Sequence, residues 1–345
     1  MTDQTAVATA PRRTPLADRF GGLRELVLLP VIVLVMIIGS ILTPNFFTVN
    51  NLVNNVLVTS AVLGVVVIAE SMILIAGYFD LSLESTVGLA PMLAAWLVLP
   101  AAVGGSGLGL SPWAAFGVMF VASIAIGLFN GFLIAVLRLN AFIVTLAMLI
   151  FLRGLTLGIS GGQTLSGLPP EFTALGNSYI VGISVQVWIV VVAFVVVALF
   201  MRKHPVGRKI YAIGGNEEAA KAAGINTVRI TIGLFVLGAM LAALAGLMLT
   251  SRIASVTANQ GDGMIFTVFA AAVIGGISLD GGRGSMIGAA TGVLLLGIIQ
   301  NILTLTNVPS FWISAIYGLI ILAALVFGHF SGRLNLLRSA KLRRA

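Results

Sequence analysis

The chain has 345 residues, of which 59% are hydrophobic and only 9% charged, and its formal net charge is +8. Apolar runs of about 18 residues or more recur along it, which excludes a water-soluble globule built on one core. The runs are continuous rather than alternating, which excludes an outer-membrane barrel, and the absence of cysteine excludes disulfides, thiol catalysis and thiolate metal sites.

A basic tail, residues 1–25, carries Arg12, Arg13, Arg19 and Arg24 and leads into an apolar run from about residue 26 to 42. A secretory signal has a shorter core and a small-residue cleavage site, whereas this run ends Ile-Leu-Thr-Pro-Asn, so it reads as an uncleaved first helix. Nine more spans are predicted, at 53–76, 82–101, 112–137, 141–159, 180–201, 230–250, 264–279, 284–305 and 310–329, with a second basic tail at 330–345. The expectation is an all-α integral membrane protein of about ten transmembrane helices, residues 26–329, with both termini on one side. The turn near Asp80 leaves room for a broken span in the 60–100 region.

Charge sets the orientation. Of the 19 Lys and Arg residues, 17 fall in the two tails, at Arg138, at Arg283 or in the 202–229 loop, leaving only Arg153 and Arg252. This is the positive-inside bias and places both termini in the cytoplasm. The basic excess then reports orientation and contact with anionic lipid, not nucleic acid. Two outer loops are substantial, 160–179 and 251–263, the second holding Arg252, Asn259, Gln260 and Asp262. Small residues four apart, Gly284/Gly288/Gly292 and Gly238/Ala242/Gly246, suit close helix packing in lipid, within the bundle or at a dimer seam.

The one substantial polar interruption lies between the sixth and seventh spans, near 202–229. It gathers Arg202, Lys203, Arg208, Lys209, Lys221 and Arg229 beside Glu217 and Glu218. Glu218-Ala219-Ala220 favours helix, and Gly224 is placed to end it. A short helix held outside the bilayer between two spans is a handle for a soluble partner.

Catalysis finds no support. A phosphate-cradling loop needs Gly-Lys-Ser/Thr, and none of Lys203, Lys209, Lys221 or Lys341 follows a glycine. The two histidines, His204 and His329, are far apart, so neither metal nor cofactor chemistry is expected in this chain. Charges at membrane depth are costly and face water or protein interior. Glu70, inside a span, reads as a pathway or proton-relay group, or as a hydrogen-bonded packing residue. Asp80 and Ser82 read as caps of the following helix or as a gate; Glu84 and Arg283 are the neighbouring ionisable residues, and Arg153 is expected to snorkel to the outer interface. Asn140, Phe142 and Thr145 offer polar partners and a ring to a sugar, with core packing the other reading of Phe142.

Four stretches in order carry a resemblance. They are Gly-Tyr-Phe-Asp-Leu-Ser-Leu-Glu-Ser (77–85), Asn-Ala-Phe-Ile-Val-Thr-Leu with the following Leu-Arg-Gly-Leu and Gly-Gly (140–162), Gly-Arg-Lys-Ile-Tyr-Ala-Ile-Gly-Gly-Asn through Gly-Ile (207–225), and Ala-Ala-Val-Ile-Gly-Gly-Ile-Ser-Leu-Asp-Gly-Gly-Arg-Gly-Ser-Met-Ile (271–287). From about residue 45 to 330 the chain resembles permease subunits of bacterial ABC importers of the ribose and simple-sugar type. The resemblance implies an inner-membrane, multi-pass subunit that pairs with a second permease copy or paralogue. It further implies a periplasmic or lipid-anchored binding protein that delivers a simple sugar or polyol, and a cytoplasmic ABC ATPase that consumes the ATP. Glu217, Glu218, Ala219, Ala220 and Gly224 fall in the loop that docks on that ATPase. Tyr78 and Glu84 stand where the family usually has glycine, and Asn140 where it has proline or an apolar residue; these changes near the expected pathway bear on which solute is accepted. Nucleosides, branched-chain amino acids or a signalling sugar are the alternative cargoes, and a proton-coupled secondary transporter using Glu70, Asp80 or Glu84 is the alternative mechanism.

Overall fold

The computed structural model describes residues 28–309, together with 311–313, 315–319 and 322. Both tails and most of the tenth expected span lie outside the described residues. Nine apolar helices stand where nine spans are expected: α1 (Leu28–Leu42), α2 (Val58–Ile75), α3 (Ser82–Val98), α4 (Pro112–Ala135), α5 (Ala141–Ser160), α7 (Val185–Lys203), α10 (Thr227–Ile253), α11 (Met264–Ile274) and α12 (Met286–Leu305). Three shorter helices lie between them: α6 (Pro170–Asn177), α8 (Pro205–Gly215) and α9 (Glu217–Ala222). A π-helical stretch, Asn51–Leu57, runs directly into α2.

The helix ends follow local chemistry. Ser111, Asn140, Ser184, Asn226 and Ser285 each accept a backbone N–H at the start of the following helix, which removes one of the unpaired donors that a helix start leaves. The sixth span begins at Val185 rather than 180, because residues 179–184 form a tiny hairpin, β2 (Tyr179–Ile180) with β3 (Ile183–Ser184), turned by Val181 and Gly182 at positive φ. The third span ends at Val98, before an extended Leu99 that precedes Pro100.

The eighth span differs most from expectation. Instead of 264–279, α11 covers only the 11 residues Met264–Ile274. At 1.5 Å per residue it is roughly 16 Å long, about half the hydrocarbon thickness. Gly263 and Gly276, at φ 72° and 87°, bracket it. The turn after α11 packs against Ile75 and Gly214 on the handle side, so a helix this short starts about half-way across the bundle, and residues 255–263 lead to it from the outer strand pair.

The core centres on α2, which is enclosed by α7, α10, α11 and α12. Its start is tied to α12 by a reciprocal amide pair: Asn51 Nδ2 donates to Asn301 Oδ1 at 2.8 Å, and Asn301 Nδ2 to Asn51 Oδ1 at 2.9 Å. The small-residue stripes pack internally. A side chain at Gly288 or Gly292 would run into the α11 backbone at Gly275 or Ala271, and one at Gly246 into the Val87 carbonyl of α3. On the outside, β1 (Leu165–Ser166) pairs with β4 (Ser255–Val256), and α6 lies across α10 with Phe172 fully buried.

Candidate functional site

Three polar constellations stand out, one on the cytoplasmic side and two within the bundle. The cytoplasmic one is the 202–229 loop, folded into α8 and α9. His204 Nδ1 accepts the Val206 N–H to start α8, and Asn216 Oδ1 accepts the Ala219 N–H at 2.8 Å to start α9. Gly224, at φ 78°, ends α9 as expected, with the Ile225 N–H returning to the Ala220 carbonyl. Of the five residues singled out here, Glu218, Ala219 and Gly224 are exposed, Glu217 is half-buried and Ala220 is buried beneath them.

This handle is fastened to both neighbouring cytoplasmic turns. Tyr78, in the α2–α3 turn, donates its hydroxyl to Glu217 Oε2 at 3.1 Å. Gly214 lies so close to the Ile75 carbonyl and the Gly282 amide that no side chain fits there. The Gly282 N–H donates to that same Ile75 carbonyl at 2.8 Å, and Tyr211 donates to the Gly284 carbonyl at 2.9 Å. Partial burial works to raise the Glu217 carboxyl, but Lys221, Tyr78 and Thr227 outweigh it and hold the group below the usual carboxylate range.

The second constellation is a chain of buried groups at the inner end of α2. Asp80 donates its backbone N–H to Glu70 Oε1 at 3.3 Å. Asp80 Oδ1 accepts from both the N–H and the hydroxyl of Ser82, and Ser82 Oγ accepts from Asn130 Nδ2 of α4 at 2.8 Å. Asp80 thus takes up the first N–H of α3 from the position before Leu81, the residue at its N-cap. Glu70 is fully buried, with Oε2 lacking a hydrogen-bond partner among the described residues.

The third lies where α11 begins. Glu84 Oε2 accepts the Ile265 N–H at 3.1 Å, and Glu84 Oε1 pairs with Arg153 Nη2 of α5 at 3.2 Å. Arg153 Nη1 donates to the Gln260 carbonyl at 3.1 Å, and Nη2 lies 3.5 Å from Asp262 Oδ1. The Gln260 side chain is buried and donates to the carbonyls of Val87 and Gly246, both at 3.1 Å. Arg153 therefore does not snorkel outward as expected; it turns inward to a carboxylate. Glu84, grouped with Asp80 and Ser82 in the sequence reading, belongs to this separate cluster. Gln260 and Asp262 were not singled out as site residues, although two opposite charges in apolar spans, Glu84 and Arg153, already call for a pairing.

Asn140, Phe142 and Thr145 sit at the cytoplasmic start of α5. The Asn140 side chain caps that helix through the Ile143 N–H, and Thr145 donates to the Ala141 carbonyl at 2.8 Å within its own turn. Phe142 is 47% exposed and meets Phe79 edge-on, 6.4 Å between ring centres, so it is not the core residue of one sequence reading.

A polytopic helical bundle with paired polar groups at mid-depth and a folded handle on one face is a membrane transport protein. The chain belongs to the family described as branched-chain amino acid transport system / permease component, whose profile matches residues 52–325. It is a multi-pass permease of the bacterial inner membrane. The ribose import permease protein RbsC of Bacillus subtilis (strain 168) is 35% identical over 85% of this chain and 89% of its own length. The L-arabinose ABC transporter permease protein AraH of Azospirillum brasilense is 36% identical over 93% of each. The L-arabinose transport system permease protein AraH of Escherichia coli (strain K12) is 35% identical over 88% of this chain and 90% of its own. No solved structure matches the chain.

Proposed function

We propose that this chain is the membrane-spanning subunit of an ATP-binding-cassette importer of a simple sugar, paired with a second permease copy or paralogue. A cytoplasmic ATPase docks on α9 at Glu218, Ala219 and Gly224, with Glu217 and Ala220 supporting that surface from beneath. ATP is consumed by that partner, and this chain carries no cofactor. A periplasmic or lipid-anchored binding protein delivers the solute to the outer face.

The observation that carries this reading is the double fastening of the handle. Tyr78 and Ile75 link it to the turn that precedes α3, and Gly282 and Gly284 link it to the turn between α11 and α12. Helices α3 and α11 meet again at Glu84 and Ile265, in mid-membrane. A displacement of α8–α9 is therefore delivered to both sides of one junction, as a rocking mechanism requires. ATP changes the balance of inward and outward states only to the extent that the ATPase grips one of them more tightly.

The family's description names branched-chain amino acids, but relatives matched over almost their whole lengths are named for ribose and arabinose. A sugar is accordingly the favoured cargo. A proton-coupled mechanism fits less well, because Asp80 is engaged at the start of α3 and Glu70 meets its backbone.

Glu218→Lys reverses the charge of a side chain that is 82% exposed and breaks its 3.0 Å pair with Lys221. Uptake of labelled ribose or arabinose by cells holding the complete transporter is expected to fall steeply, with the permease still present in the membrane. Undiminished uptake would remove α9 from the docking surface.

A further inference from the structure

Two adjoining cavities, of about 350 Å³ and 290 Å³, share Thr59, Arg252 and Gln300 in their walls. Chain direction places them on the outer side. Arg252 lies in the last turn of outward-running α10, Gln300 and Asn301 near the end of outward-running α12, and Thr59 near the start of inward-running α2. The larger cavity is floored by Asp262 and Met264 at the mid-membrane start of α11, and Tyr317 contributes to its wall. Its size is that of a small-molecule site.

The lining is chemically distinct from the groove between α2, α7 and α12, where Val187, Val190, Phe194 and Val195 present a surface suited to lipid. Here the walls carry hydroxyl, amide and guanidinium groups. The Arg252 guanidinium has no partner among the described residues, and neither do the Thr59 hydroxyl and the Gln300 side-chain amide. The Tyr317 hydroxyl is buried and also unpartnered among them. Ionisable and polar groups of spans face the bundle interior or a water-filled cavity, and here they converge on one cavity at the outer helix ends without satisfying one another.

Charge decides the class of solute. Arg252 and Asp262 line the cavity, and Asp262 continues to the Arg153–Glu84 pair beside it. One cation and one anion line the cavity, so a net charge on the solute gains nothing, while its hydroxyls find donors at Arg252 and Gln300 and acceptors at Asp262 and Thr59. We infer that this outer cavity, anchored by Arg252 and Gln300, is the entry site for a neutral, polyhydroxylated solute of pentose size. The inference rests on the sugar-importer reading and adds the place where the sugar first meets this chain.

The natural chain has no cysteine, so a single one can be followed without background. Thr267→Cys, in the wall of the larger cavity, with Thr304→Cys in the smaller one as a second probe should the first fail to accumulate, is to be labelled from outside by a charged methanethiosulfonate in cells carrying the complete transporter. Leu108→Cys, 67% exposed in the outer turn between α3 and α4 and away from the cavity, is the control. D-ribose or L-arabinose is expected to slow labelling of the thiol introduced at either probe position and not at the control. Adding Arg252→Ala should raise the sugar concentration needed for half-protection about ten-fold, the effect of losing one charge-assisted hydrogen bond. Equal labelling with and without sugar, in cells that do take up labelled sugar, overturns the site and leaves the importer reading intact. Protection that survives Arg252→Ala unchanged overturns Arg252 as anchor. If neither sugar enters cells and neither protects the probes, the pentose assignment falls along with the reading beneath it.

Discussion

Arg153 is the residue whose replacement tests the interior most directly. Its side chain is 16% exposed, that of its partner Glu84 is 4% exposed, and the two are 3.2 Å apart. Arg153→Met keeps the stem but leaves Glu84 as a buried carboxylate supported only by the Ile265 N–H, and it strips the Gln260 carbonyl of its donor. Removing one member of a buried pair costs about 3–5 kcal/mol. At the low end of the usual scaling for large domains, about 2 °C per kcal/mol, the melting temperature should fall by about 6–10 °C. Glu84→Gln should cost less, because the amide oxygen still accepts from Ile265 and Arg153 retains Gln260 and Asp262. The double variant should cost less than the sum of the two, with a coupling of about 1–3 kcal/mol. Thermal unfolding of the four proteins in one detergent or nanodisc preparation, followed by loss of monodisperse protein, reads the cycle. An Arg153→Met variant within about 2 °C of the parent, or strictly additive losses, would refute the pair as the support of the α11 start; that limit corresponds to about 1 kcal/mol.

Two further expectations concern the handle. Gly214→Ala drives a methyl group into the Ile75 carbonyl and the Gly282 amide, an overpacking that should cost about 1–3 kcal/mol and separate the handle from the two turns; sugar uptake is expected to fall while ATPase activity of the purified complex persists, and coupled activity at the parental level would argue against the mechanical link. The Glu217 carboxyl is held below its unfolded value, so its contribution to handle stability is present above the ordinary carboxylate pKa and is lost as pH falls through the depressed folded value. Tyr78→Phe deletes one of the bonds that depress it, so the acid limb of transport should move to higher pH; superimposable pH profiles for the two proteins would contradict this.

Much of the architecture is legible in the amino-acid order because the bilayer leaves few options. Apolar runs of spanning length must be helices, and the predicted spans assign 17 of 19 basic residues to segments expected on one side. The handle is legible for a local reason: Glu-Glu-Ala-Ala followed by Gly224 is a helix with its stop. The short span is not. Residues 264–279 are apolar almost throughout, and composition does not reveal that Gly263 and Gly276 take positive φ and halve the helix. Once α11 begins at mid-depth, the cluster of Glu84 and Arg153 draws on α3, α5, α11 and the segment before it, and no spacing along the chain encodes that. Asn140 shows a local role beside the solute contact that an amide next to a span suggests: its oxygen accepts the Ile143 N–H.

The mid-membrane cluster follows step by step from that helix break. A helix that starts inside the bilayer presents unpaired N–H groups where water is scarce. A carboxylate answers them, and Glu84 does so at Ile265. That carboxylate in turn needs a cation at the same depth, which Arg153 supplies. The descending segment before the break has its own unpaired carbonyl at Gln260, and the second arm of Arg153 meets it. The Gln260 side chain then ties the segment to Val87 on α3 and Gly246 on α10. Close approach is possible because residue 261 is glycine: a side chain there would sit 2.6 Å from the Glu84 carbonyl, and its φ of 84° suits glycine. Glu84 is thus one part of an interlocked set rather than an isolated polar residue in a span. Since α3, α5 and α10 all grip the descending segment, a tilt of any one of them is felt at the floor of the outer cavity.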